Sequence, residues 1–91
     1  MPPTGRSRTG YIPPIRGPLP GFPGTQRAEA RQDERGHYRA RWVYPDGRFF
    51  EWDYQHGTVE AYDRRGEHLG AFDPLDGRQL KQAIPTRKAR P

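Results

Sequence analysis

The sequence predicts a mainly β (α+β) fold: a small antiparallel sheet, one short N-terminal helix and a Pro/Gly-rich N-terminal arm. Three observations predict it. Beyond Gly36, short runs of alternating apolar and polar residues are separated by turn signals at close spacing. Eleven Gly and eleven Pro in 91 residues commit much of the chain to turns and loops. Hydrophobic residues make up only 31% and the mean hydropathy is −1.19, so the core is small and the length allows one domain at most.

Residues 1–24 carry Pro2, Pro3, Pro13, Pro14, Pro18, Pro20 and Pro23. Proline fixes φ and removes a donor, so neither a helix nor a central strand runs here, and the segment is expected as an arm or linker. Tyr11, Ile12, Ile15, Leu19 and Phe22 are spaced to pin it to a neighbouring surface. The domain proper is expected over 25–91. Residues 25–34 are the one helix expected, with Thr25 as N-cap, Ala28 and Ala30 as helix formers and Gly36 as the stop. Strands are expected over 37–44, 48–55, 58–63 and 68–72, with a short last one over 79–81. The turns between them are Pro45-Asp46-Gly47, His56-Gly57, Arg64-Arg65-Gly66 and the Asp73–Gly77 run. In the second strand Phe50, Trp52 and Tyr54 share one face, and Phe49, Glu51 and Asp53 the other. The basic tail from Pro85 is expected to be loose at its end.

The net charge of +5 and pI near 10.1 suit a polyanion, nucleic acid above all, although basic surfaces also serve solubility alone. There is no cysteine, hence no disulfide framework and no thiolate metal site. His37, His56 and His68 are too scattered to supply a structural zinc set, so no metal and no cofactor are expected. His37 and His68 read as surface or strand residues. No apolar run is long enough to span a bilayer, and Arg6 and Arg8 precede no apolar stretch, so neither membrane insertion nor a secretory signal is expected.

The chemistry concentrates around Asp53, His56 and Glu60. If the flanking strands pair across a tight turn, Asp53 and Glu60 lie near each other across the ladder with His56 at the turn. Adjacent carboxylates push their pKa values apart, and a carboxylate orients a neighbouring imidazole. An acid, an imidazole and an acid on a basic surface fit metal-free RNA cleavage, in which the 2′-hydroxyl needs a base and the leaving 5′-oxygen an acid. Ordinary polar decoration of a hairpin is the competing reading. Arg39, Arg41 and Arg48 interleave with Tyr38, Trp42, Tyr44 and Phe49, a mixture that holds phosphates and stacks on unpaired bases. Trp42, Phe50 and Trp52 are favoured as core. No phosphate loop and no nucleophile elbow is present.

The run from Glu51 through Gly57, then Glu60, Tyr62, His68-Leu69-Gly70, Phe72-Asp73-Pro74, Gly77, Gln79-Leu80-Lys81, Pro85 and Arg87 resembles the C-terminal ribonuclease domain of the ribosome-inactivating E-type colicins and cloacin. The resemblance covers about residues 48–87. It implies a strongly twisted antiparallel sheet with a short N-terminal helical segment. It also implies metal-independent cleavage of small-subunit (16S) ribosomal RNA in the decoding centre, on bacterial ribosomes, as the toxin module of a larger secreted protein that acts in the cytoplasm of target bacteria. An acidic immunity protein is implied as partner. By position the resemblance places catalytic roles on Asp53, His56, Glu60 and Arg87 and RNA contact on Lys81; Arg39, Arg41, Arg48 and Lys88 are further expected RNA contacts from charge. Two departures stand out. Phe50 occupies a position where the family pattern has Tyr, and the turn from Asp63 to Glu67 is one residue shorter. The alternatives are the same scaffold cutting another RNA such as tRNA, or a non-catalytic RNA-binding module.

Overall fold

The computed structural model describes residues 11–33 and 35–91. It is a six-stranded sheet in which every strand pairs antiparallel with its chain neighbours. The strands are β1 (Gln26–Gln32), β2 (Tyr38–Val43), β3 (Phe49–Asp53), β4 (Thr58–Tyr62), β5 (His68–Phe72) and β6 (Gln79–Gln82). The mainly β expectation holds, and five expected strands fall at β2 to β6 within about two residues at each end.

The expected helix over 25–34 is corrected: residues 26–32 form β1, and residue 34 lies outside the described residues. No helix is present among the described residues. Thr25 caps nothing. It is buried, its Oγ1 donates to the Phe22 carbonyl at 2.8 Å and accepts from the Leu19 amide at 3.1 Å, tying the arm to the first strand. Ala28 and Ala30 are half-buried between exposed neighbours, a strand period that the pairing with β2 enforces over helix propensity.

One device builds most of the hairpins. Asp33, Asp53 and Asp63 each end or follow a strand, and each uses Oδ1 to accept two backbone amides of its own turn. Asp73 does the same with the amides of Leu75 and Asp76, and Asp46 accepts one, from Arg48. Each of these turns closes with a glycine at positive φ, as at Gly57 (φ 69°) in the β3–β4 hairpin, where a side-chain-bearing residue is disfavoured.

The sheet buries both faces. On one, Ala40, Trp42, Phe50, Trp52, Val59 and Ala61 form the core, and Leu19, 1% exposed, completes it with Ile12, Ile15 and Phe22. The hydrophobic residues expected to pin the arm therefore do so. Tyr11 stacks on Tyr54 at 5.0 Å, and the expected arm's residues 1–10 lie outside the described residues. Carbonyls of the arm accept from both indoles: Ile12 from Trp52 at 2.8 Å and Gly17 from Trp42 at 2.9 Å. A proline-rich segment has few donors to satisfy but keeps every acceptor, so it suits a face that offers N–H groups. Phe50 points into this face against Phe22, away from the polar side described next.

Candidate active site

The opposite face of the sheet is polar. Strand register aligns Arg41, Glu51, Glu60, Ala71 and Lys81 in one row across β2 to β6, all on the same side because directly paired residues share a face. The partner of Glu60 across the ladder is Glu51, while Asp53 pairs with Thr58. Asp53 and Glu60 are thus diagonal neighbours on one face, a spacing of roughly 7–8 Å in such ladders.

Two hydrogen-bonded clusters occupy this face. In the first, both Asp53 side-chain oxygens have partners in its own turn: Oδ1 accepts the Gln55 and His56 amides, and Oδ2 meets His56 Nδ1 at 2.8 Å. Burial pushes the Asp53 carboxyl up, but the His56 ring, the two amides and the imidazole charge together hold it below the usual carboxylate range. The bond at Nδ1 fixes the ring and leaves Nε2, on a half-exposed side chain, directed to whatever binds outside.

In the second cluster Glu60 is buried, with only 7% of its surface exposed. Its Oε1 meets His68 Nε2 at 2.7 Å and Arg87 Nη1 at 3.7 Å. Arg87 Nε donates to the Tyr62 hydroxyl at 3.0 Å. Burial lowers the Arg87 pKa, but the hydrogen bond to Tyr62 and the nearby Glu60 and Glu51 outweigh it and raise it, so the guanidinium is a permanent cation. Burial raises the Tyr62 phenol, which stays protonated at neutral pH.

Arg87 stands on the C-terminal segment, and that segment is fastened, contrary to the loose tail expected. The Arg87 carbonyl accepts the His68 amide at 3.2 Å, Glu67 bridges Lys88, the Ala89 amide donates to Gly66 at 2.9 Å, and Arg41 Nη2 donates to the Arg90 carbonyl. Between this strap and the β1–β2 hairpin runs a groove of about 510 Å³ whose lining includes Arg35, His37, Arg39, Tyr62, Arg87 and Lys88.

The expected RNA contacts divide by position. Arg39 and Lys88 line the groove, Arg39 anchored to Asp33 at 3.1 Å. Lys81 is exposed, two strands from Glu60 in the same row. Arg48 sits at the far end of β3 from Asp53, paired with Asp46 at 2.9 Å and lying over the Tyr44 ring. Arg41 is buried, bonded to Glu51 at 2.9 Å and stacked 4.1 Å from the Phe49 ring centroid. Sequence reasoning placed Glu51 on the face of Asp53 but gave Glu51, Tyr62 and His68 no part in the site. His68, read as a surface or strand residue, is buried against Glu60. The strict alternation of β3 and β4 put Glu51 and Tyr62 on the same side as Asp53 and Glu60, but a shift in register between Ala61 and Tyr62 hid the partner of His68. Among the described residues, no three or more His, Asp or Glu are grouped to hold a metal ion.

A buried carboxylate, an oriented imidazole and a cation beside a basic groove are groups that acid–base cleavage of a phosphodiester can use. The chain belongs to the Cytotoxic family, whose model matches residues 12–90. It is 44% identical to colicin E3 of Escherichia coli over 70 residues, which is 75% of this chain and 12% of that protein. It is 52% identical to cloacin and 50% to colicin-E6, both of Escherichia coli, each over 54 residues, or 57% of this chain. The chain spans 12% of colicin E3 and 10% of each of the other two, so it corresponds to one domain of proteins many times longer.

Proposed function

We propose that this chain is the toxin domain of a bacteriocin: a metal-independent endoribonuclease that cuts small-subunit (16S) ribosomal RNA at the decoding centre and blocks translation. The observation that carries this reading is the placement of the Asp53–His56 pair and the Glu60–Arg87 pair on one sheet face, beside a cation-lined groove, in a member of the Cytotoxic family. Glu60 takes the proton from the ribose 2′-hydroxyl, and His56, through its outward Nε2, protonates the leaving 5′-oxygen. Asp53 orients His56 through Nδ1. Arg87 stabilises the added negative charge on the phosphorane-like transition state. The products are a 2′,3′-cyclic phosphate and a 5′-hydroxyl. Arg39, Lys81 and Lys88 hold flanking phosphates; Arg48 reaches RNA only from the far end of the sheet, and Arg41 contributes by neutralising Glu51.

The domain works in the cytoplasm of a target bacterium after delivery by a larger secreted protein, and an acidic immunity protein protects the producer. Such a partner covers the basic face and associates rapidly by electrostatic steering. Two other readings, cleavage of another RNA such as tRNA and RNA binding without catalysis, make different predictions in one experiment. The domain is incubated with intact bacterial ribosomes, with tRNA and with naked ribosomal RNA, and the cut ends are mapped by primer extension. A single cut in ribosomal RNA of intact ribosomes is expected, unchanged by EDTA and lost in His56→Ala and Glu60→Ala. Cutting of tRNA alone, or binding without a cut, selects one of the alternatives, and EDTA sensitivity restored by a divalent ion replaces the acid–base mechanism with a metal-dependent one.

A further inference from the structure

The acid–base reading makes Glu60 the base, and a base must present one particular lone pair to the ribose. Glu60 has an awkward setting for that task. It is buried, and the residue directly opposite on β3 is another carboxylate, Glu51. Glu51 is held by Arg41. Glu60 is held chiefly by a residue with no assigned role, His68.

The His68 ring is bonded at both nitrogens. The Ile84 backbone amide donates to Nδ1 at 2.9 Å. A backbone amide can only donate, so Nδ1 carries no proton. The proton of the ring is therefore on Nε2, which lies 2.7 Å from Glu60 Oε1 and donates to it. The ring is neutral, its tautomer set by the C-terminal strap, and its side chain is 1% exposed. A neutral donor fixes the carboxylate without adding a charge that would compete for the proton Glu60 is to receive. The Tyr62 ring packs beside it at 5.4 Å, and Arg87 reaches the same oxygen at 3.7 Å. Among the described residues both contacts fall on Oε1, which in the acid–base reading leaves Oε2 for the ribose. We propose that His68 is the positioning residue of the catalytic base: locked in the Nε2–H tautomer by Ile84, it aims Glu60 at the 2′-hydroxyl without touching RNA.

This rests on the ribonuclease reading, and its test separates the two. Amide side chains split the two bonds of the ring. His68→Asn keeps an acceptor near Ile84 and loses the donor to Glu60. His68→Gln keeps a donor near Nε2 and loses the acceptor. Single-turnover cleavage of intact ribosomes should fall by up to about 10²-fold in His68→Asn at saturating ribosomes, the scale of a misaimed catalytic group, with the half-saturating ribosome concentration unchanged. His68→Gln should recover most of the rate. Equal losses in both variants, or a loss confined to half-saturation, would overturn the proposal. The second measurement needs no catalysis: long-range nitrogen–proton correlation spectra of the wild-type ring. A bare Nδ1 and a protonated Nε2 are expected, and the opposite tautomer or a doubly protonated ring at neutral pH overturns the proposal even if a variant fails to fold. If the wild-type chain cuts no RNA while the ring shows the expected tautomer, the ribonuclease reading fails and the His68–Glu60 lock survives as a structural fact.

Discussion

Replacing Arg41 by Met isolates what a buried cation does for this small sheet. The side chains of Arg41 and Glu51 are 4% and 9% exposed and meet at 2.9 Å. Arg41 also donates to the Arg90 carbonyl and lies over Phe49, while its Nε has no partner among the described residues. Removing the guanidinium strands Glu51 in the interior opposite Glu60, and breaking a buried pair from one side costs about 3–5 kcal/mol. A domain of this size melts about 4–8 °C lower for each kcal/mol, so Arg41→Met should lower Tm by roughly 12–40 °C and approach the whole stability of an ordinary domain, about 5–15 kcal/mol. Arg41→Met combined with Glu51→Leu removes both charges and should restore most of the loss, since apolar replacement of a buried pair is often neutral or better. Urea unfolding followed by tryptophan fluorescence reads both, with Trp42 and Trp52 in the adjoining core. A loss below about 1 kcal/mol in the single variant, or a double variant as damaged as the single one, refutes the reasoning. If the stable double variant binds ribosomes many-fold more weakly, Arg41 belongs with the RNA contacts after all.

Leu19→Ala should cost about 2–5 kcal/mol in the same assay, because the side chain is fully buried between arm and sheet. Asp53→Asn should keep the hairpin, since an amide oxygen still accepts the two turn amides, yet cut the cleavage rate by about 10²-fold or more as His56 loses its charged partner. The pH dependence of stability checks the same residue. The folded Asp53 pKa is depressed, so its contribution is fully present above the unfolded value near 3.9 and is lost as pH falls through the folded value. The Asn variant should therefore show a flatter acid limb in thermal melts. Lys81→Ala and Lys88→Ala should each reduce the salt slope of ribosome binding by about one, measured from 50 to 200 mM salt.

The hairpins were legible because turn and strand signals agree: an Asp and a Gly bracket each alternating run, and local chemistry decides the register. The stretch at 25–34 was misread because Ala, Glu and Arg favour helix in isolation, whereas the open edge of β2 decided the outcome, a tertiary effect no local window contains. Arg41 looked like an exposed RNA contact for a related reason. Its neighbours in the chain, Ala40 and Trp42, face the core, and nothing local told that the other face would be buried too by Phe49, Tyr62 and the strap. Asp53 and His56 were found because they are three residues apart in one turn. The lock on Glu60 was not, because His68 and Ile84 reach it from β5 and from the C-terminal strap.

The strand order has a kinetic consequence. Under the proposed delivery by a larger protein, how readily the domain refolds matters. Here every strand pairs with the one before and after it, with no crossover to thread. Assembly is a succession of hairpin closures, each an event of about 1–10 μs. Among the described residues the arm, which meets Trp52 from Ile12, and the strap, which meets Arg41 from Arg90, have distant partners to find. The sheet can therefore form first and the two straps dock afterwards, and because Arg87 and the Ile84 amide ride on the second of them, a refolding molecule would gain its secondary structure before the proposed site is complete.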